Sequence, residues 1–224
     1  MQTRAPTVQS CAADRATDAN RIRVLIVDDH PILREGIVAV LSHLVDIQVV
    51  GEASNGREAV ELYSKLLPDV TLMDLQMPEV DGMEALNAIK RLCPAAKVVV
   101  LTTYSGDVQA MKALKAGANG YLLKSMLRRE LADTIRAVAD GKRRIPLEIA
   151  AALAEHAADE DLTPRELEVL KEVAQGHANK AVAARLGIAD ETVKAHMKGI
   201  MAKLGARDRT HAVTIALRRG MIDL

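Results

Sequence analysis

Three carboxylates stand where short apolar runs stop. Asp28 and Asp29 follow Val24–Val27, and Asp74 closes the run that starts at Val70. Two further runs end in groups of another kind: Val98–Thr102 in a hydroxyl, and Tyr121–Leu123 in the ammonium of Lys124. Brought together, three carboxylates repel one another and call for a cation. Hard oxygen ligands around an open site suit Mg²⁺, which keeps waters and takes phosphate oxygens as further ligands. A carboxylate nucleophile, a divalent cation, a lysine and a hydroxyl are the parts that neutralise a transferring phosphoryl group. An acyl phosphate made this way is labile and suits a signal better than a store. His30, followed by Pro31, reads as the start of a helix rather than as a ligand or relay. One Asp at a strand end is ordinarily a cap or turn residue, and one Lys there is ordinarily solvated. Five suitable residues at successive strand ends are a different matter.

These groups meet only if the runs that carry them are strands of one sheet. Val24–Val27, Ile47–Ala53, Val70–Leu75, Val98–Thr102 and Tyr121–Leu123 are β-rich, of strand length, and bounded by Asp, Gly, Pro or Asn. Helical patterns lie between and after them, at about 31–44, 56–67, 82–92, 107–117 and 127–140. Five βα repeats specify a flavodoxin-like, doubly wound α/β fold with a five-stranded parallel sheet covered on both faces. Runs as continuous as Val98–Leu101 fit burial on both sides. In strand order 2-1-3-4-5, strands one and three are neighbours at the switch point, so Asp28, Asp29 and Asp74 converge at the carboxyl edge.

Gly141 ends the fifth helix, and the character changes over residues 142–161, which read as a partly helical linker. From Leu162 the pattern is all-α. Thr163-Pro164-Arg165-Glu166 is a capping box that opens a first helix. A second begins near Asn179 and stops at Gly187, a third starts after Asp190 as N-cap, and a fourth runs from about Asp208 to Gly220. The second and third, joined across Gly187, have the helix-turn-helix plan. In the third, Val193, Met197, Ile200 and Leu204 form a buried stripe, leaving Lys194 and Lys198 on another face with Glu191 and Ala195. Small residues there permit close approach to a major groove while lysines reach phosphates or guanine edges. Two lysines on one helix face are ordinarily just solvated; the turn, the spacing and the local charge weigh the other way.

That charge is uneven. Formal net charge is zero, yet residues 1–140 hold 16 Lys/Arg against 18 Asp/Glu, and residues 163–224 hold 11 against 7. A basic C-terminal part fits a polyanionic partner. Three Tyr with no Phe or Trp argue against an RNA reader that stacks bases on aromatic platforms. Cys11 and Cys93 have no metal-like spacing and read as reduced thiols. No apolar run approaches the ~20 residues of a membrane span. Residues 1–20 are polar, without a signal core, and read as a disordered tail, so the expected location is the cytoplasm.

Residues from about 21 to 140 resemble the receiver domain of two-component response regulators, through Val27-Asp28-Asp29-His30-Pro31, Met73-Asp74-Leu75-Gln76-Met77-Pro78, Asp81-Gly82, Leu101-Thr102 and Gly120-Tyr121-Leu122-Leu123-Lys124. The resemblance implies that Asp74 accepts phosphate from a sensor histidine kinase. It implies that Asp28, Asp29, Asp74 and the Gln76 carbonyl hold Mg²⁺, directly or through water. It also implies that Lys124 and Thr102 bind the phosphate, and that Tyr121 turns inward in step. Ser125 stands where many receivers have Pro after the lysine, and Tyr104 with Gln76 would limit water, giving slow self-dephosphorylation.

Residues from about 160 to 222 resemble the LuxR-type helix-turn-helix of the NarL/FixJ family, through Leu162-Thr163-Pro164-Arg165-Glu166, Val169-Leu170, Asn179-Lys180, Ala183, Leu186, Thr192-Val193-Lys194, His196, Lys203-Leu204-Gly205 and Arg209-Thr210. By that resemblance Lys194, Ala195 and Lys198 face bases, while Asn179, Lys180, Thr192, Lys203 and Arg207 contact the DNA backbone. Ala178 and Ala189 replace common serines, and Gly199 costs ~1 kcal/mol of helix propensity against Ala. The whole is expected to be a phosphorylation-gated regulator of promoter DNA. It would dimerise when phosphorylated, through a contact of the fourth helix (Thr210–Arg218), with RNA polymerase a further partner that the family admits. Two other readings stay open: a constitutive DNA binder with an inert receiver, and a phosphohydrolase. The second would want an acid/base Asp where Gln76 stands.

Overall fold

The computed structural model describes residues 21–78, 80–103, 106–156 and 160–222. Its chain folds as two compact units.

The first unit holds five parallel strands: β1 (Ile22–Val27), β2 (Ile47–Ala53), β3 (Val70–Asp74), β4 (Val98–Thr102) and β5 (Gly120–Leu123). Their order is β2-β1-β3-β4-β5, the doubly wound arrangement expected from the apolar periodicity. Every residue of β3, β4 and β5 is buried, which is why these strands read as unbroken apolar runs. Helices α1 (Pro31–Ser42), α2 (Gly56–Leu66), α3 (Gly82–Leu92), α4 (Asp107–Lys115) and α5 (Leu127–Ala139) alternate with the strands. Leu127, Leu131, Ile135 and Val138 of α5 join Ile26, Leu72, Leu101 and Leu122 in one apolar cluster.

Register brings the strand ends into line. Val27 pairs with Met73, Asp74 with Leu101 and Thr102 with Leu123, so Asp28, Asp74 and Thr102 emerge side by side at the carboxyl edge. Lys124 lies one residue past β5 and opens a 3₁₀ turn, Lys124–Met126, rather than ending the strand itself.

The second unit is helical: α6 (Leu147–Glu155), α7 (Pro164–Ala174), α8 (Asn179–Leu186), α9 (Asp190–Lys203) and α10 (Arg209–Arg218). By compactness residues 106–112, which include six of the nine residues of α4, group with this unit. The core is aliphatic: Val169, Leu170, Val182, Val193, Met197, Ile200, Ala212 and Ala216. The capping box at Thr163 forms as read, the Thr hydroxyl accepting from Glu166 N–H and the Glu166 carboxylate accepting from Thr163 N–H. Gly187 closes α8 in the left-handed region at φ 64°, a conformation that a Cβ would strain. One boundary differs from the sequence reading. Asp190 is the first helical residue of α9 and Ala189 is its N-cap, without a side-chain hydrogen bond. The acidic group therefore sits inside the first turn, where it favours the positive end of the helix dipole.

Candidate functional site

Asp28 and Asp74 are buried at the sheet edge, and Lys124 Nζ lies between them, 2.8 Å from Asp28 Oδ2 and 2.7 Å from Asp74 Oδ2. The Gln76 N–H donates to Asp74 Oδ1 at 3.2 Å, and the His30 N–H donates to Asp28 Oδ1 at 2.8 Å. His30 is the N-cap of α1 with Pro31 at the first helical position, as read, but its imidazole also borders the cluster, Nδ1 lying 2.7 Å from Asp29 Oδ1. Asp28, Asp29, His30 and Asp74 each place one ligand atom within 4.8 Å of the others. Asp28 Oδ2 and Asp29 Oδ1 are buried, the first beside Lys124 Nζ and the second beside His30 Nδ1. Three carboxylates this close together, two of them buried, fit a hard divalent cation.

Burial pushes the Asp74 carboxyl above the usual carboxylate range, and the Lys124 ammonium beside it only partly offsets this. Burial pulls Lys124 down, but hydrogen bonds to Asp28 and Asp74 outweigh it, and its pKa ends raised. Both groups thus hold their protons more tightly than usual, Asp74 through burial and Lys124 through its two carboxylate partners.

Thr102 is 1 % exposed and Tyr121 fully buried. Burial pushes the Tyr121 phenol up to about 12, and a hydrogen bond with Thr102 opposes the shift. Tyr121 is thus buried in this structure, with a hydrogen bond between its hydroxyl and Thr102. Gly82 explains why Asp81-Gly82 accompanies the acidic residues. A Cβ there would lie 1.9 Å from the Asp74 carbonyl oxygen, so α3 can start against the end of β3 only with glycine. Asp81 caps that helix, its carboxylate accepting from Glu84 N–H. Tyr104 lies outside the described residues, as does the segment 1–20.

On α9, Val193, Met197 and Ile200 are buried while Glu191, Thr192, Lys194, Ala195 and Lys198 are exposed. Lys180 and Arg207 are also exposed, and Asn179 is half-buried. Lys203 is different: its Nζ lies 2.9 Å from Glu166 Oε2, in the capping box of α7. Burial raises the Glu166 carboxyl, but the Lys203 ammonium and the Thr163 hydrogen bonds prevail and hold it below the usual range. That pair, 37 positions apart, left no trace in local spacing. A second feature that sequence reading passed over was legible: Lys194 lies 2.6 Å from Glu191 Oε1 and 3.1 Å from Asp190 Oδ2, at helical i,i+3 and i,i+4 spacing.

The description "Response regulator receiver domain" matches residues 24–136, and "Bacterial regulatory proteins, luxR family" matches residues 160–216. The chain belongs to the two-component response regulators with a LuxR-type output domain. The transcriptional regulatory protein LiaR of Bacillus subtilis is 40% identical over 210 residues, which cover 90% of this chain and 100% of LiaR. The response regulator protein VraR of Staphylococcus aureus is 38% identical over 207 residues, covering 90% of this chain and 99% of VraR. Among solved structures, the response regulator ChrA of a heme-sensing two-component system aligns at TM-score 0.55 and 38% identity over 91% of this chain and all of that one. The response regulator RcsB in complex with DNA aligns at TM-score 0.67 and 28% identity, over 89% of this chain and 99% of that one. As a response regulator of this family the chain joins a receiver to a DNA-binding helix-turn-helix and acts in transcription regulation. No helix among the described residues is long and apolar enough to cross a membrane.

Proposed function

We propose that Asp74 is the phosphoacceptor and that its modification controls how the helix-turn-helix engages promoter DNA. The receiver would occupy residues 21–141, the linker 142–161 and the DNA-binding domain 162–224. The observation that carries the reading is the convergence of Asp28, Asp29, Asp74 and Lys124 at one sheet edge, the carboxylates close enough to share one cation.

Asp28, Asp29, Asp74 and the Gln76 carbonyl would hold Mg²⁺, which when bound supplies the positive charge that the phosphoryl oxygens need. An Asp74 carboxylate oxygen attacks the phosphorus of a phosphohistidine on the sensor kinase. The P–N bond breaks, and the departing imidazole takes up a proton. Lys124 then exchanges its Asp74 contact for a phosphoryl oxygen, and the Thr102 hydroxyl donates to another. Attack by water on the acyl phosphate returns the carboxylate and inorganic phosphate. The phosphoryl contacts of Thr102 and Lys124 supply the differential affinity that shifts the receiver between states. The shifted receiver releases the output domain or pairs it with a second copy through α10, in the cytoplasm, on promoter DNA that RNA polymerase also engages.

Purified protein treated with acetyl phosphate and Mg²⁺ gains one phosphoryl group by intact mass, and Asp74→Ala gains none. Equal labelling of both proteins sinks the assignment. Steady release of phosphate from a phosphomonoester would instead favour an enzyme.

A further inference from the structure

The groove-facing side of α9 is not basic. Lys194 and Lys198 are balanced by Asp190 and Glu191, and the ammonium of Lys194 is already held by both carboxylates, at 3.1 and 2.6 Å. Lys198, one turn further on, has no ion pair among the described residues. Glu191 is 82 % exposed in its side chain, so no packing demand accounts for an acidic group there. Facing a polyanion, such a group repels phosphate and withholds its neighbour's charge.

An acidic side chain in the first turn of a recognition helix has a narrow set of base partners. A carboxylate only accepts hydrogen bonds, so in the major groove it can meet the exocyclic amino group of cytosine or adenine. It is repelled by guanine N7 and O6 and by thymine O4. Lys194 only donates, and its good partners are guanine O6 and N7. One G·C pair offers both halves: two acceptors on guanine and the N4 amino donor on cytosine. The Glu191–Lys194 couple has the matching donor and acceptor three residues apart on one ridge of the helix.

We propose that Glu191 is a specificity-determining residue of the DNA-binding helix: it keeps Lys194 from non-cognate phosphates and, at the cognate site, accepts the N4 amino group of a cytosine while Lys194 donates to guanine. This rests on α9 being the helix that enters the groove. Discrimination comes from a repulsive element as much as from an attractive one, since wrong sequences leave both charges facing groups of their own sign. The raised pKa of Lys194, caused first by the Glu191 hydrogen bond and then by Asp190, agrees with a couple formed before DNA arrives.

The test uses the full chain, phosphorylated with acetyl phosphate and Mg²⁺, as wild type, Glu191→Gln and Lys198→Ala. Glutamine keeps the shape but loses the charge, and its amide pairs bidentately with adenine. Glu191→Gln should bind a random-sequence duplex roughly three- to tenfold tighter, with a log K against log salt slope steeper by up to about one. Selection from a random duplex library should change one cytosine of the wild-type motif to adenine and keep the other positions. Unchanged non-specific affinity and slope, or a retained cytosine, overturns the proposal. Lys198→Ala should weaken binding to every duplex. If it has no effect while wild type binds, α9 is not the reading helix, and the underlying assignment fails before the role of Glu191 is reached.

Discussion

Two lysines in this chain each sit between two carboxylates, and the difference between them is burial. Lys124 joins Asp28 and Asp74 at 2.8 and 2.7 Å, with its side chain 11 % exposed and the two acids nearly sealed from water. Lys194 joins Glu191 and Asp190 at 2.6 and 3.1 Å on an open helix face. Distances of the same order lead to opposite uses. In the sheet-edge site water cannot replace a lost partner, so the charges form one unit whose rearrangement costs enough to drive a conformational change. On α9 the couple is screened and weak, so it contributes little to folding but can be exchanged for nucleic acid at small cost. The first arrangement suits a switch, the second a selector.

That contrast is broken most severely at Lys124. Lys124→Ala leaves Asp28 and Asp74 facing each other, and losing one partner of a buried pair costs about 3–5 kcal/mol. Denaturant unfolding near neutral pH should show it. The penalty should shrink as pH falls, because Asp74 already binds its proton above the usual carboxylate range and protonation removes the repulsion. A loss that does not depend on pH would mean that packing, not charge, is at stake. Gly82→Ala comes next. Its Cβ meets the Asp74 carbonyl at 1.9 Å, and relieving such an overlap by backbone movement costs about 1–3 kcal/mol. The displaced Asp74 should also label more slowly with acetyl phosphate. Normal labelling with normal stability would show that α3 can shift freely.

Much of this was legible, for identifiable reasons. The sheet order and the edge that carries Asp28, Asp29, Asp74 and Thr102 follow from strands buried on both faces, whose polar ends can emerge only at the rim. The helix-turn-helix followed from Thr163, Gly187 and the Val193–Met197–Ile200 stripe. Side-chain pairing across long separations was not legible. Nothing local says that Lys203 reaches back to Glu166, or that Lys124 bridges two acids instead of standing free. Asp190 was misplaced by one residue because Asp is a good N-cap, whereas the extended backbone before α9 falls on Ala189.

The Glu166–Lys203 pair should give an intermediate effect. Glu166→Gln keeps an acceptor for the α7 capping box but loses the ion pair, and should cost about 0.5–1 kcal/mol. The folded pKa of Glu166 lies below its ordinary value, so this contribution is present above the normal glutamate range. It fades as pH falls through the folded value. Wild type and variant should therefore differ in melting temperature near pH 7 and converge in acid. Parallel curves would show that the charge of Glu166 stabilises nothing, and would return Lys203 to the exposed cations available for DNA.

The smallest effect on stability is expected at Glu191, and its smallness is informative. Glu191→Gln removes the shorter of the two contacts to a lysine whose side chain is 51 % exposed, so melting temperature should stay within error at any salt concentration. A measurable drop would mean that the couple helps to fold α9, and the sequence at its N-terminus would then need no explanation in terms of DNA. An unchanged melt together with altered duplex affinity separates the two roles cleanly. It would place the acidic first turn of α9 among groups kept for discrimination, whereas the buried triad around Lys124 contributes to stability as well as to switching.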